Sequence, residues 1–298
     1  MATHDSETIV NVSPILAAAK YYVTSSTDLA FDFGAATHAG LCRSENQDHY
    51  LVLRRTRTQQ LLLTNMPTEQ LPMPTDEAYA MAVADGMGGH AGGGLASELA
   101  IRTGWELAGR ASSWVMKLGQ LSREELTERV EAFTHLMQQA FVDEFRTNPD
   151  FGDSGTTWSA AYFVSSFVVV FNIGDSPCFL WRDGIMCRVS TDHTVEQEFM
   201  AAGVDREIAG RYGHMLTRCL GYDSQNARPD VYHMRLKPGD QVLLCTDGLT
   251  DMVSDTQIAQ CLDESTDAQS ACDGLVKLAL AAGGRDNVTA ILARAKTR

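Results

Sequence analysis

The chain of 298 residues is short of basic residues: 24 Lys and Arg stand against 38 Asp and Glu, a formal net charge of −14. A bulk field of that sign repels nucleic acid and anionic lipid, so neither is expected as a partner. An anionic substrate stays open, because bound divalent cations invert the charge of one site. Paired cysteines are lacking as well. The seven that occur, from Cys42 to Cys272, contain no C-x-x-C. That argues against a zinc ribbon and a disulfide framework and fits a reducing, cytoplasmic setting. No apolar run approaches the roughly 18 residues of a membrane span. The opening MATHDSETIV has neither a basic n-region nor an apolar h-region. No internal repeat is visible, and nothing resembles an interdomain linker after residue 31.

What is present suffices for a large core, since 44% of residues are hydrophobic. Residues 1–30 read as an N-terminal extension with a short helix at PILAAAKYY, ahead of one domain at 31–298. The segment 57–78 carries three prolines and reads as a long loop between two strands. Helical spacing predicts a helix over 92–110. A second follows Ser122, which forms a capping box with Glu125, and runs through Leu126, Val130, Phe133, Met137, Phe141 and Phe145 towards Pro149. Then β-branched runs take over. TTWSAAYFV and FVVVFNI form a hairpin about Ser165-Ser166, and CFLW and IMCRV form another about Asp183-Gly184. A helix at 194–202 stops at Gly203, and one at 266–282 stops at Gly283-Gly284. VYHMRL, QVLLCT and VTAILAR are further strands. Strands and helices interleave without a βαβ rhythm, so antiparallel sheets are expected.

Four aspartates fall at strand ends: AVADG (Asp85), FNIGD (Asp175), LLCTDG (Asp247) and GGRDN (Asp286). A single Asp-Gly after a strand is an ordinary turn, as at Asp183. Four rigidly delivered carboxylates are a different matter. If they converged they would repel one another unless a cation lay among them, and hard cations such as Mg²⁺ or Mn²⁺ take oxygen ligands. Upstream, GLCRSENQDHY places Arg43 five residues before Asp48. A guanidinium grips phosphate in bidentate fashion; the alternative for Arg43 is a surface salt bridge with Glu45 or a neighbour.

The ordered set RSENQD, VADGMGGH, SGTT, IGDS, TDHT, CTDGLTD and GGRDNVT resembles the protein phosphatase 2C family of metal-dependent Ser/Thr phosphatases, closest to its bacterial type. The resemblance spans about 31–296, and VADGMGGH, CTDGLTD and RDNVT are its specific motifs. It implies an α+β fold, a four-layer α-β-β-α sandwich of two antiparallel sheets flanked by helices, with a metal cleft at the sheet edges. It implies two Mn²⁺ or Mg²⁺ ions. Asp85 would bridge them, the Gly86 carbonyl would bind one, Asp247 and Asp286 would complete the first site, and Asp48 would hold the second mainly through water. Asp175 with Asp247 would form a third, weaker site. Arg43 would clamp the substrate phosphate, and Asp251 and Asn287 would orient ligands and waters. Thr156 and Thr157 would buttress the cleft. A metal-bridged hydroxide would attack the phosphoryl group in line, without a phosphoenzyme and without a catalytic cysteine.

Three positions depart from the pattern seen in some relatives. Met87 stands where some have a histidine, and His90 reads as a helix-entry or surface residue. Pro177 stands where the family usually has arginine, and Gln47 where some have glutamate. The segment 193–230 matches the family's flap; for His193, Arg211 and His214 in or near it, surface and substrate-contact readings are both open. The implied partner is a phosphorylated protein, in the setting of a bacterial Ser/Thr kinase or its targets, with the enzyme a monomer. Two other readings stand beside it: a silent phosphoprotein-binding regulator on the same fold, and a hydrolase of small phosphoesters.

Overall fold

Strand alternation builds two antiparallel sheets. The computed structural model describes residues 29–58, 60–68, 71, 76–88, 92–110, 121–148, 154–221 and 227–298. Residues 1–28 of the expected extension with its helix at 14–22, His90, Pro149 and part of the 57–78 loop lie outside the described residues, and Leu29 and Ala30, expected in the extension, open the first strand of the domain. One sheet contains β1 (Leu29–His38), β7 (Cys178–Arg182), β8 (Ile185–Arg188), β11 (Gln241–Cys245) and β12 (Val288–Thr297), in the order β1-β12-β11-β7-β8. The other contains β2 (Asp48–Arg57), β3 (Asp76–Met87), β4 (Gly155–Thr156), β5 (Trp158–Val164), β6 (Phe167–Ile173), β9 (Leu220–Gly221) and β10 (Asp230–Arg235). Its order is β10-β6-β5-β3-β4-β9, with β2 also on β3.

Both expected hairpins form. β5 and β6 turn at Ser165 (φ 55°), and β7 and β8 turn at Asp183 (φ 53°) and Gly184 (φ 81°). The Asp-Gly pair suits a turn that needs two residues at positive φ. Lys237-Pro238-Gly239-Asp240, by contrast, carries the chain from β10 in one sheet to β11 in the other.

Period-two burial then stacks four layers. Met81, Val83, Phe163, Val168 and Val170 of one sheet meet Val242, Leu244, Ile291 and Ala293 of the other. The alternate residues of β3, Ala78, Ala80, Ala82 and Ala84, turn outward onto α1 (Gly92–Arg110) and α2 (Arg123–Thr147). Their small side chains let the helices come close. Ser122 caps α2 with the expected capping box to Glu125. On the opposite outer face, α6 (Asp255–Glu264) and α7 (Ala268–Ala281) bury Ile258, Leu262, Leu275 and Ala279. Between β8 and β9 the chain leaves the sandwich through α3 (Val195–Ala201), α4 (Arg206–Ala209) and a 3₁₀ turn at Gly210–Tyr212. A short α5 (Asp247–Thr250) follows β11. None of the described helices is long and apolar enough to cross a membrane.

Candidate metal centre

At one end of the sandwich the inward alternation continues but changes chemistry. On β3 the inward series Met81, Val83 runs on to Asp85, and on β2 the residue paired with Asp85 is Asp48. Like charges directly opposite one another destabilise an antiparallel pair. Facing them, the inward series Val242, Leu244 on β11 runs on to Thr246, and Ala293, Ile291 on β12 runs on to Thr289. Both threonine hydroxyls donate to Asp48 Oδ2, at 2.9 Å and 2.7 Å. The other carboxylate oxygen of Asp48 is buried with no hydrogen-bond partner among the described residues. Ser159 Oγ and Asn172 Oδ1 are buried and unpartnered as well.

Asp85 is held by its backbone. Its N–H donates to Thr157 Oγ1 at 3.0 Å, and its carbonyl accepts from Thr156 Oγ1 at 2.8 Å and from the Thr157 N–H at 3.0 Å. Thr156 and Thr157 thus buttress the strand end, as the resemblance implies. The glycine directly after Asp85 has a steric cause: a Cβ on Gly86 would lie 2.1 Å from the Gly93 carbonyl oxygen, so α1 could not start against this strand.

Arg43, Asp85, Gly86, Asp175, Asp247, Asp251, Asp286 and Asn287 all line one open cleft of about 1360 Å³. Asp48 lies just below its surface and is 4% exposed. The nine sequence-predicted site residues therefore come together at one sheet edge. Burial raises the carboxyl groups of Asp48, Asp85, Asp175 and Asp247, and mutual repulsion adds to it. Asp48 reaches about 7, with the two threonine bonds offsetting part of the effect. Asp175 reaches about 8, with Asp247 next among the causes, and Asp247 reaches about 6, with Asp251 and Asp286 next. Asp85 is raised well above the carboxylate range by burial and then by Asp48, Asp247 and Asp175. Such a cluster calls for positive charge. A partnerless buried carboxylate oxygen, hard oxygen donors and a polar sandwich end fit Mg²⁺ or Mn²⁺.

Several details differ from the sequence expectation. Arg43 forms a bidentate ion pair, but with Asp286 (2.8 Å and 2.6 Å) rather than Glu45. Asn287 holds a loop: its Oδ1 accepts from the Gln47 N–H at 2.8 Å, and its Nδ2 donates to the carbonyls of Ala39 and Glu45 at 2.9 Å and 2.8 Å. It therefore fixes the segment that carries Arg43. His214 enters the cleft from the flap and brings a nitrogen within 4.8 Å of oxygens of Asp247 and Asp251. Arg211 is exposed. His193 is buried, 4% exposed, so it is neither a surface residue nor a substrate contact. Sequence reasoning passed over Thr246 and Thr289, although each sits within three residues of a motif aspartate.

Comparison with known proteins follows the same lines. A sequence profile of the family described as protein phosphatase 2C matches residues 73–282. The serine/threonine phosphatase stp of Listeria monocytogenes is 30% identical over 220 residues, which is 73% of this chain and 84% of that protein. The catalytic domain of the serine/threonine protein phosphatase PstP, solved with two manganese ions, superposes with a TM-score of 0.67 at 28% identity, over 90% of this chain and 99% of that one. The PPM Ser-Thr phosphatase MsPP of Mycobacterium smegmatis, solved with cacodylate, gives a TM-score of 0.62 at 32% identity, over 88% and 97%.

Proposed function

The chain belongs to the protein phosphatase 2C family, and on that premise we propose that it is a metal-dependent phosphoserine/phosphothreonine protein phosphatase. The observation that carries the proposal is the convergence of Asp85, Asp175, Asp247, Asp251 and Asp286 with Arg43 at one sheet edge, with a buried oxygen of Asp48 left without a partner. Asp85, the Gly86 carbonyl, Asp247 and Asp286 would hold one cation, Asp85 and Asp48 a second, and Asp175 with Asp247 a weaker third. Bound there, such ions make a strong nucleophile from water at neutral pH and draw charge from phosphoryl oxygens.

The chain's own residues supply the rest. Arg43 is 57% exposed in its side chain, so its fork can leave Asp286 and take two oxygens of a phosphate. Asn287 keeps the Arg43 loop in place beneath that phosphate. Thr156 and Thr157 fix the peptide units on either side of the Asp85 position, which holds the point from which its carboxyl projects. Thr246 and Thr289 hold one oxygen of Asp48 and leave the other free for a cation. Burial pushes the thiols of Cys178 and Cys245 well above the ordinary cysteine range, which removes them as nucleophiles. The substrates would be proteins phosphorylated by a Ser/Thr kinase, or the kinase itself, met in the cytoplasm by a monomeric enzyme.

Hydrolysis of p-nitrophenyl phosphate by the purified protein tests the chemistry. Turnover should require Mn²⁺ and vanish in excess EDTA. Phosphoserine and phosphothreonine peptides set against sugar phosphates and nucleotides test the substrate class; a preference for the small phosphoesters would overturn the protein-phosphatase reading.

A further inference from the structure

His193 opens the segment that forms the flap, and both of its ring nitrogens are engaged. Nδ1 accepts from the Gly174 N–H at 3.1 Å. The proton of the neutral ring therefore sits on Nε2, which lies 3.2 Å from Asp230 Oδ2 and donates to it. Burial keeps the ring neutral, followed by the charge of Arg218. Arg218 Nη1 itself donates to Asp230 Oδ1 at 2.8 Å. One carboxylate at the start of β10 thus binds His193, where the flap segment opens, and Arg218, 25 residues further on.

The backbone of His193 closes the same junction. Its N–H donates to the Gly174 carbonyl at 3.0 Å, and its carbonyl accepts from the Thr217 N–H at 2.8 Å. Thr194 pairs with Leu216, and the Val195 N–H donates to the Met215 carbonyl at 2.8 Å. On its other side Gly174 is pressed against Thr157. Its φ is +99°, and a Cβ there would stand 2.6 Å from Thr157 Cγ2. Thr157 is the residue that binds the Asp85 N–H. Gly174 is therefore clamped between His193 and Thr157, and the residue that follows it is Asp175.

We propose that His193 is a positioning residue that sets the Asp175 carboxylate through Gly174 and anchors the flap through Asp230, so that flap and cleft share one buried hinge. The inference rests on the reading of Asp175 as a cation ligand. Its two halves separate by substitution. In His193→Asn the amide oxygen occupies the place of Nδ1 and keeps the acceptor for Gly174, while the donor to Asp230 is lost. In His193→Gln the amide nitrogen reaches the place of Nε2 and keeps the donor, while the acceptor is lost.

The test titrates Mn²⁺ into EDTA-stripped full-length protein by calorimetry and, separately, follows tryptic cleavage at the exposed Arg206 and Arg211 of the flap. His193→Gln should weaken the weakest Mn²⁺-binding step about tenfold and leave flap cleavage near the parent rate. His193→Asn should do the reverse, keeping Mn²⁺ affinity and speeding cleavage several-fold. If both variants match the parent, or if both shift the two readouts together, the hinge is wrong. Asp175→Asn is the reference: if it leaves every Mn²⁺ step unchanged, the reading of Asp175 fails, whatever the histidine variants do. Should one histidine variant not fold, the other decides alone against the same two readouts.

Discussion

Removing divalent cations should make the stability of this protein depend steeply on pH, and Asp48 sets the scale. Its carboxyl stands at about 7 in the folded protein against an ordinary value of 3.8. The difference of about 3 units corresponds to roughly 4 kcal/mol at ~1.36 kcal/mol per unit. The folded value is raised, so the folded state binds the proton more tightly than the unfolded chain does. The penalty is therefore absent below about pH 4, grows as pH rises, and is complete above about pH 7. Asp175, at about 8, extends the window upward. Between pH 8 and pH 5 Asp48 alone recovers about 2 of its 3 units, roughly 3 kcal/mol. For a domain of this size that is about 5 °C in Tm. Thermal melts in EDTA, followed by circular dichroism, should show Tm rising by at least that much as pH falls from 8 to 5. The chain's general acidity pushes the same way, so Asp48→Asn is the necessary comparison and should flatten the rise. Saturating Mn²⁺ should flatten it too, because the cation replaces the proton. A Tm in EDTA that stays level or falls towards pH 5, or an Asp48→Asn variant with the parent's slope, would refute the reasoning.

Other substitutions read out separate parts of the centre. Asp85→Asn and Asp247→Asn should each abolish Mn²⁺-dependent hydrolysis while the far-ultraviolet spectrum stays that of the parent; near-normal turnover in either would end the ligand assignment. Thr289→Val removes a donor to a buried carboxylate, and should weaken Mn²⁺ binding about tenfold and cost about 1–3 kcal/mol in urea unfolding. Arg43→Lys replaces a fork with a point charge, and inhibition by inorganic phosphate should weaken by roughly an order of magnitude in steady-state assays. Gly86→Ala sets a Cβ 2.1 Å from a backbone oxygen and should destabilise by about 1–3 kcal/mol or more, measured in the same urea titration.

Much of the sandwich was legible because its strands repeat every two residues and its turns carry Asp-Gly or Ser-Ser. The capping box at Ser122 announced its helix in the same direct way. α6 escaped attention for a physical reason. It buries only Ile258 and Leu262, too few to show a helical stripe, although its Ser254–Gln257 capping box was there to be read. The partnering of β10 and β11 with different sheets was not legible, since Lys-Pro-Gly-Asp has the composition of a hairpin turn and serves here as a crossing. The aspartates could be picked out one at a time, yet no spacing told which would meet. Arg43 and Asp286 are 243 positions apart and in contact. Burial of His193 was invisible for a related reason: its partners Gly174, Arg218 and Asp230 come from separate segments.

The register of the strands explains why the carboxylates arrive together. Val52 pairs with Met81, Tyr50 with Val83 and Asp48 with Asp85, so the three pairs share one face of the sheet. Apolar burial of Met81 and Val83 fixes that register, because a slip of one residue would turn the whole set to the other face. The same force that builds the core thereby delivers two carboxylates to the open end of the sandwich, directly opposed. On the facing sheet, burial of Val242, Leu244, Ile291 and Ala293 likewise delivers Thr246 and Thr289. Stability alone would favour continuing these series with apolar residues, since a buried Asp48 with a raised carboxyl and one partnerless oxygen makes the fold weaker. The cluster is a sensible end to the core only when a cation completes it. A double substitution of Asp48 and Asp85 to Asn should therefore raise Tm in EDTA above that of the parent and lower it relative to the parent in saturating Mn²⁺. A double variant less stable than the parent in EDTA would show that the carboxylates stabilise the fold by themselves.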